Sequence, residues 1–180
     1  MSTDRPTGTG SVDAHRPARS VVVREAVPTE LDAAGAVVRA AYAAEGHTPA
    51  FYLDVLADAR ARARDACLAV AVDPSGQVVG SVTFALPGSR WSEVAADGEA
   101  EFRMLGVLPA HRGLGVGAAL TDWCLDRARG LGLRRVVLCS QPSMTAAHRL
   151  YRGRGFVRSP ELDWSPAPGL TLLGFSLDLS

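Results

Sequence analysis

Arg112, Gly113, Leu114, Gly115, Val116 and Gly117 spell R-G-x-G-x-G, the run in this chain whose residue types and spacing speak most directly of chemistry. Before it, Glu101 to Val107 alternates and ends apolar like a β-strand, and Pro109 keeps that strand from continuing in a ladder. After it, Leu120, Trp123, Cys124 and Arg127 recur at helical spacing. Strand, glycine loop and helix start together make an anion site. The first turn of a helix leaves its N–H groups unpaired and carries about half a positive charge, so a pyrophosphate can accept several hydrogen bonds there. A side chain at Gly113, Gly115 or Gly117 would stand between backbone and ligand, or forbid the positive φ that such a nest needs.

Three phosphate-binding readings compete for this loop. A Walker loop needs Lys followed by Ser or Thr, and the chain contains no lysine. A dinucleotide fingerprint is nominally met by Gly113, Gly115 and Ala118. Against it, the five residues 108–112, with Pro109 and Arg112 among them, separate the strand from the first glycine, and no acid follows Val136 to Ser140 at the ribose position.

The third reading is a resemblance. Val107, Pro109, Arg112, Gly115 and Gly117, with Leu120 beyond, resemble the acyl-CoA-binding motif of the GNAT superfamily of N-acetyltransferases, R/Q-x-x-G-x-G/A after a strand. Ala147, Leu150, Tyr151, Gly155 and Phe156 resemble the family's second motif, A-x-x-L-Y-x-x-x-G-F. The likeness covers residues 20 to 179 and is sharpest from Glu101 to Phe156. It implies an α/β fold with a mixed sheet, in the order βααβββαβαββ, with six to seven strands flanked by four helices. It also implies acetyl-CoA as cosubstrate, no metal, and transfer of the acetyl group to a primary amine by direct attack in a ternary complex. A catalytically silent CoA-binding sensor or interaction module is the alternative.

The resemblance also assigns residues. Leu105 N–H would polarise the thioester oxygen, Val107 would hold the pantetheine amide with Gly106 between them, and the backbone from Gly113 through Leu114, Gly115, Val116 and Gly117 to Ala118 would take the pyrophosphate beside Arg112. Glu101 is the expected base and Tyr151 the expected acid for the departing thiolate. A lysine-like amine with pKa near 10.4 is neutral in about one molecule per few thousand at pH 7, so a base has something to contribute. A phenol with pKa near 10 is still protonated at pH 7, as a general acid must be. Tyr42, Phe51, Trp91 and Glu99 are the expected acceptor-side residues. Where the family often has Asn, three residues before the motif's Ala, this chain has Met144, and His148 reads as a surface or supporting residue.

The elements that must hold these groups follow from the pattern. Residues 1–19 have almost no apolar side chains and read as a disordered tail before one domain at 20–180. Val21 to Val23 make a short strand, and a helix follows through Leu31, Ala34, Val37, Val38 and Ala41. A second helix runs from Pro49 to about Arg64, with Arg60, Arg62 and Arg64 on a solvated face. Cys67 to Asp73 and Gln77 to Leu86 form a hairpin across Pro74, Ser75 and Gly76, and Pro87 to Ala100 is a loop feeding the central strand. Arg134 to Ser140 is the parallel partner of that strand, Ser143 caps the next helix, and Leu173 to Leu179 alternates as a last, half-buried strand.

Composition narrows the function classes. The chain has 180 residues, 19 basic against 19 acidic, so no global field draws it to nucleic acid or to an anionic membrane. Cys67, Cys124 and Cys139 lack metal-ligand spacing, and their odd number without a secretory signal suggests reduced thiols in the cytoplasm. The expected partner is a small-molecule or peptide amine, with a homodimer possible by resemblance.

Overall fold

The computed structural model describes residues 21–46 and 48–179, so the tail expected at 1–19 lies outside the described residues. Valine-rich runs supply the first strands. β1 (Val22–Glu25) is a short edge strand that leads into α1 (Leu31–Ala43), which turns Ala34, Val37, Val38 and Ala41 inward at helical spacing. The single second helix expected from Pro49 divides at Asp58 into α2 (Ala50–Ala57) and α3 (Ala59–Arg62). Asp58 leaves helical backbone geometry, and its carboxylate caps α3 by accepting from Ala61 N at 2.9 Å.

The expected solvated arginine face is corrected as well. Arg62 is fully buried, and its Nη1 donates to the carbonyls of Val55 and Leu56 at 2.8 Å each. Those carbonyls belong to the last turn of α2, where no intrahelical donor is left. Arg60 does remain outside, paired with Asp32 at 2.7 Å.

β2 (Cys67–Val72) and β3 (Val78–Ala85) form the expected hairpin, with the Asp73 carboxylate accepting from Ser75 N, Ser75 Oγ and Gln77 N to close the turn. The central strand is β4 (Glu99–Val107). Then come α4 (Val116–Gly130), β5 (Arg135–Ser140), α5 (Thr145–Gly153), β6 (Val157–Arg158), β7 (Trp164–Ala167) and β8 (Leu170–Asp178). Ser143 does not cap α5: Met144 holds that position, without a side-chain bond.

Across the sheet the order is β1-β2-β3-β4-β5-β8-β6, with β7 paired to β8. Among the described residues the strands number eight, one more than the upper expectation. The added strand is β7, drawn from a Pro-rich link. It has β8 on one side only, and an unpaired edge tolerates a proline that donates nothing.

β4 and β5 are parallel, and they stay in register only from Glu99 opposite Arg135 to Glu101 opposite Val137. Beyond that β4 continues along β3, whereas β5 follows β8 as far as Ser140. A wedge therefore opens between the two strands. In β4, Met104 and Leu105 together oppose the single Val82 of β3, and Met104 takes a φ of 52°. This is a bulge, and the left-handed methionine in it costs on the order of 1–2 kcal/mol. Val116, Leu120, Cys124, Leu125 and Ala128 of α4 and Tyr151 of α5 pack into the main core beside Phe102, Phe156 and Phe175. Helices α1 to α3 complete two smaller clusters, one of which joins Val38 and Leu56 to Met104. Among the described residues, no helix is long and apolar enough to cross a membrane.

Candidate functional site

The glycine loop and the wedge open into one cleft of about 460 Å³, walled by the end of β4, the first turn of α4 and the start of α5. Leu105, Gly106, Val107, Arg112, Gly113, Gly115, Val116, Gly117 and Ala118 all line it; of the expected set, Leu114 does not. Gly113 has a φ of 74° and Gly115, the N-cap of α4, one of 81°. A Cβ at either would meet nothing within 4 Å, so left-handed backbone, not crowding, is what demands glycine there. Gly117 differs from the expectation. It needs no positive φ, and a Cβ on it would come 3.2 Å from Leu150 Cδ2, so its smallness serves the approach of α5 to α4.

The first helical bond of α4 runs from Ala119 N to Gly115 O at 2.9 Å, which leaves the N–H groups of Val116, Gly117 and Ala118 free of helical partners. Together with the positive end of the 15-residue helix dipole they present a cradle of donors suited to an anion such as a diphosphate. The donor set fits the phosphate end of CoA. Arg112 reaches away from the cradle: its Nη2 donates to Ala41 O at 2.9 Å and its Nη1 pairs with Glu45 at 2.9 Å. It fastens the loop to the end of α1.

A second cavity of about 260 Å³ lies on the other side of the wedge, with Tyr42, Phe51, Tyr52, Arg103 and Trp164 among its walls. Tyr42 and Met144 line both spaces, so the two adjoin at that pair. Phe51 is 72% exposed and stands at the rim. Trp91 and Glu99, expected here, line neither space. Trp91 packs against the Val38, Leu56 and Met104 cluster instead. Glu99 sits at the opposite end of β4 from Val107, accepting from Ala96 N at 3.0 Å and lying 3.4 Å from Arg134 and 3.7 Å from Arg135.

Glu101 is 1% exposed and lines neither space. Its Oε2 accepts from Glu93 N at 2.7 Å, Val94 N at 2.9 Å and Ser92 Oγ at 3.3 Å, so one carboxylate oxygen gathers the loop ahead of β4. Burial pushes the Glu101 carboxyl above its ordinary range, against the pull of those backbone donors and of Arg103, 3.6 Å away. Arg103 also donates to Glu93 Oε1 at 2.8 Å and to Trp91 O at 3.0 Å. The result is a chain of groups, Glu101 to Arg103 to Glu93, of which Arg103 and Glu93 line the second cavity.

Tyr151 packs edge-on against Phe102 and Phe156, with ring centroids 5.7 Å and 6.0 Å away. Burial drives its phenol well above the ordinary value, and it also raises Tyr42, which lies close enough to feel Tyr151 and Tyr52. Both phenols stay protonated through the physiological range.

Glu93, Arg103 and Ser140 line the second cavity without having been expected there, and His148, read from the sequence as a surface or supporting residue, is buried behind Ser140. The signal for His148 was present: Met144, Ala147, His148 and Tyr151 fall at i, i+3, i+4 and i+7, one face of α5, and His148 is buried there. Glu93 had no such signal, because a loop's course is set by what it packs on.

Comparison with known proteins agrees with this geometry. A family model described as the acetyltransferase (GNAT) family matches residues 35–156. A mycothiol acetyltransferase of Cellulomonas flavigena is 34% identical over 170 residues, covering 85% of this chain and 47% of that protein. Another, from Geodermatophilus obscurus, is 38% identical over 102 residues, covering 53% of this chain and 33% of the relative. The aligned segments thus take in less than half the length of these curated relatives. Among solved structures, a GCN5-related N-acetyltransferase from Kribbella flavida superposes with a TM-score of 0.66 at 27% identity, covering 88% of this chain and 98% of that one. A Salmonella typhimurium structure described as a proposed acetyltransferase, yncA, with its cofactor acetyl-CoA superposes at 0.63 with 25% identity, covering 89% and 95%.

Proposed function

This chain belongs to the GNAT acetyltransferase family, and from that premise we propose that it transfers the acetyl group of acetyl-CoA to a primary amine on a small molecule, by direct attack in a ternary complex. The observation that carries the reading is the meeting of two spaces at Tyr42 and Met144, one walled by the diphosphate cradle and the other by aromatic side chains. A cosubstrate held at the cradle and an acceptor in the second cavity would meet across that pair. The size of the second cavity and the name borne by the curated relatives both favour a small acceptor.

Bound acetyl-CoA would supply an activated acetyl thioester. The chain's own groups do the rest. Val116, Gly117 and Ala118 N–H would hold the diphosphate, Gly113 and Gly115 giving the loop its course. The splayed part of β4, from Leu105 to Val107, offers backbone groups that β5 does not use, where an extended pantetheine arm can add as a strand would. Leu105 N–H would polarise the acyl oxygen.

For the proton of the amine, Glu93 is the carboxylate in the cavity wall, set by Arg103. Glu101 acts behind it, gathering the loop and steadying Arg103. This moves the base from Glu101, the expected residue, to Glu93, and leaves Glu101 a positioning role. Tyr151, like Glu101, is buried and lines neither space; burial keeps its phenol protonated, and as the motif's expected acid for the leaving sulfur it is tested by Tyr151→Phe below.

The test is free-thiol release from acetyl-CoA across a panel of small amines, on the native chain, Glu93→Gln, Glu101→Gln and Tyr151→Phe. Amine-stimulated release that Glu93→Gln slows by about 10²-fold or more, with acetyl-CoA affinity kept, supports the assignment. Acetyl-CoA binding with no amine acetylated would sink it in favour of a silent CoA-binding module.

A further inference from the structure

Arg103 lies in the wall of the second cavity with its side chain 15% exposed, and the five N–H hydrogens of a guanidinium can be followed one by one. Nη1 spends its two on Glu93 Oε1 at 2.8 Å and Trp91 O at 3.0 Å. Nε faces Glu101, 3.6 Å away. Nη2 makes no hydrogen bond among the described residues, and it is not sealed from solvent as the unpartnered Nε1 of Trp164, in the same wall, is. Tyr52 lines the cavity too, near enough to feel the charge of Arg103, and its hydroxyl oxygen would take one Nη2 hydrogen and leave the other. A charged donor therefore stands open to whatever the cavity holds.

Among the described residues, Arg103 and Glu93 are the charged side chains of this wall, one of each sign. They stand a guanidinium's width apart, since Nη1, which holds Glu93, shares its carbon with Nη2. An acceptor that brought only an amine would satisfy Glu93 and, by expelling water, would strand Nη2 without a partner. Stranding a charged donor in a dry site is costly, so a wall of this build selects against a ligand that leaves it unmet. We propose that the acceptor is a free α-amino acid with an apolar side chain, its carboxylate accepting from Arg103 Nη2 and its amine facing Glu93. An anion and an amine on one carbon match a cation and a carboxylate joined by one hydrogen bond. The apolar side chain follows from the rest of the wall, where Phe51, Leu170 and Leu172 offer a ring face and methyl groups. The proposal rests on the acetyl-transfer reading for the fate of the amine, whereas the carboxylate seat is a matter of binding and needs no turnover to test.

Phenylalanine and phenylalaninol, which carries a hydroxymethyl group in place of the carboxylate, make the probe pair. Each is titrated by calorimetry into the chain loaded with CoA, for the native chain, Arg103→Gln and Arg103→Lys. The native chain is expected to bind phenylalanine about tenfold tighter than phenylalaninol, or better. Arg103→Gln should bring that ratio within about twofold of unity with CoA affinity kept, and Arg103→Lys, which keeps the charge without the fork, should fall between. A residue that only steadied Glu93 and the loop would weaken both probes alike and leave the ratio where it was. A native chain that binds phenylalanine no better than phenylalaninol, or binds neither, overturns the proposal with no variant needed, and so does a ratio that survives Arg103→Gln. Phenylalanine bound in the expected ratio yet releasing no thiol from acetyl-CoA overturns the activity reading alone. Phenylalaninol acetylated with a kcat/KM equal to that of phenylalanine leaves the activity reading standing and overturns this one.

Discussion

Gly115 and Gly117 stand two residues apart in one loop and are glycine for different physical reasons. At Gly115 the backbone is left-handed and the space is open, so Gly115→Ala should cost on the order of 1–2 kcal/mol of stability and weaken acetyl-CoA binding with it. At Gly117 the neighbour is the mobile tip of Leu150, and alanine gains in helix propensity, so Gly117→Ala should stay within about 1 kcal/mol of native. Urea denaturation and an acetyl-CoA titration on both variants decide the matter; equal losses would refute the distinction. Carboxylates divide in the same way. The Arg158 guanidinium, and then the Gly174 N–H, hold Asp163 below its ordinary range, whereas burial holds Glu101 above it. The Asp163 contribution is therefore present above its unfolded pKa of about 3.9 and lost as pH falls through the lower folded value. The Glu101 contribution has the opposite sign: it is present below about 4.3 and lost as pH rises through the higher folded value. In thermal melts the gap between native and Asp163→Asn should close on acidification below about pH 4, and the gap between Glu101→Gln and native should widen in favour of Gln as pH rises above about 4. Gly113 and Gly115 were legible because motif and backbone demand coincide there, whereas Gly117 is small for its packing on Leu150. The surroundings of Glu101 were not legible, since its donors come from a loop eight residues earlier whose path no local pattern fixes.

Among the elements, α2 and α3 depend on one side chain. Arg62 supplies the donor for two terminal carbonyls of α2 from inside the core, although its Nε and Nη2 have no partner among the described residues. Removing it leaves the carbonyls unmet and a large void, which together outweigh the relief of the buried charge. Arg62→Ala should cost about 2–4 kcal/mol. Since Phe51 and Tyr52 of α2 line the second cavity, the amine KM should also rise while acetyl-CoA affinity holds. Denaturation and steady-state kinetics read the two effects, and a loss of acetyl-CoA affinity instead would contradict this division. The order of strands and helices was readable from periodicity and turn chemistry. The break at Asp58 was not, because apolar spacing runs on through Val55, Leu56 and Ala59 and only the cap geometry interrupts it. Strand β7 escaped for the same kind of reason: two prolines spoke for a link, and β8 gave it a partner.

Over the whole molecule, the site exists because two neighbouring strands part company. Sequence placed β4 and β5 side by side, yet where their pairing stops depends on the bulge at Met104 and on β8, which lies far along the chain. The same parting leaves Tyr42 and Met144 as a shared wall between the two spaces. Thermodynamics then imposes a symmetry on the ligands: whatever factor acetyl-CoA contributes to amine affinity, the amine must return to CoA affinity. Titrating phenylalanine with and without CoA, and CoA with and without phenylalanine, should give one coupling factor, and Met144→Ala should bring it toward unity while each ligand alone binds nearly as before. A coupling untouched by that substitution would locate the communication elsewhere. If it does run through Met144, two ligands negotiate over one methionine, and the order in which they arrive becomes a property of its rotamers.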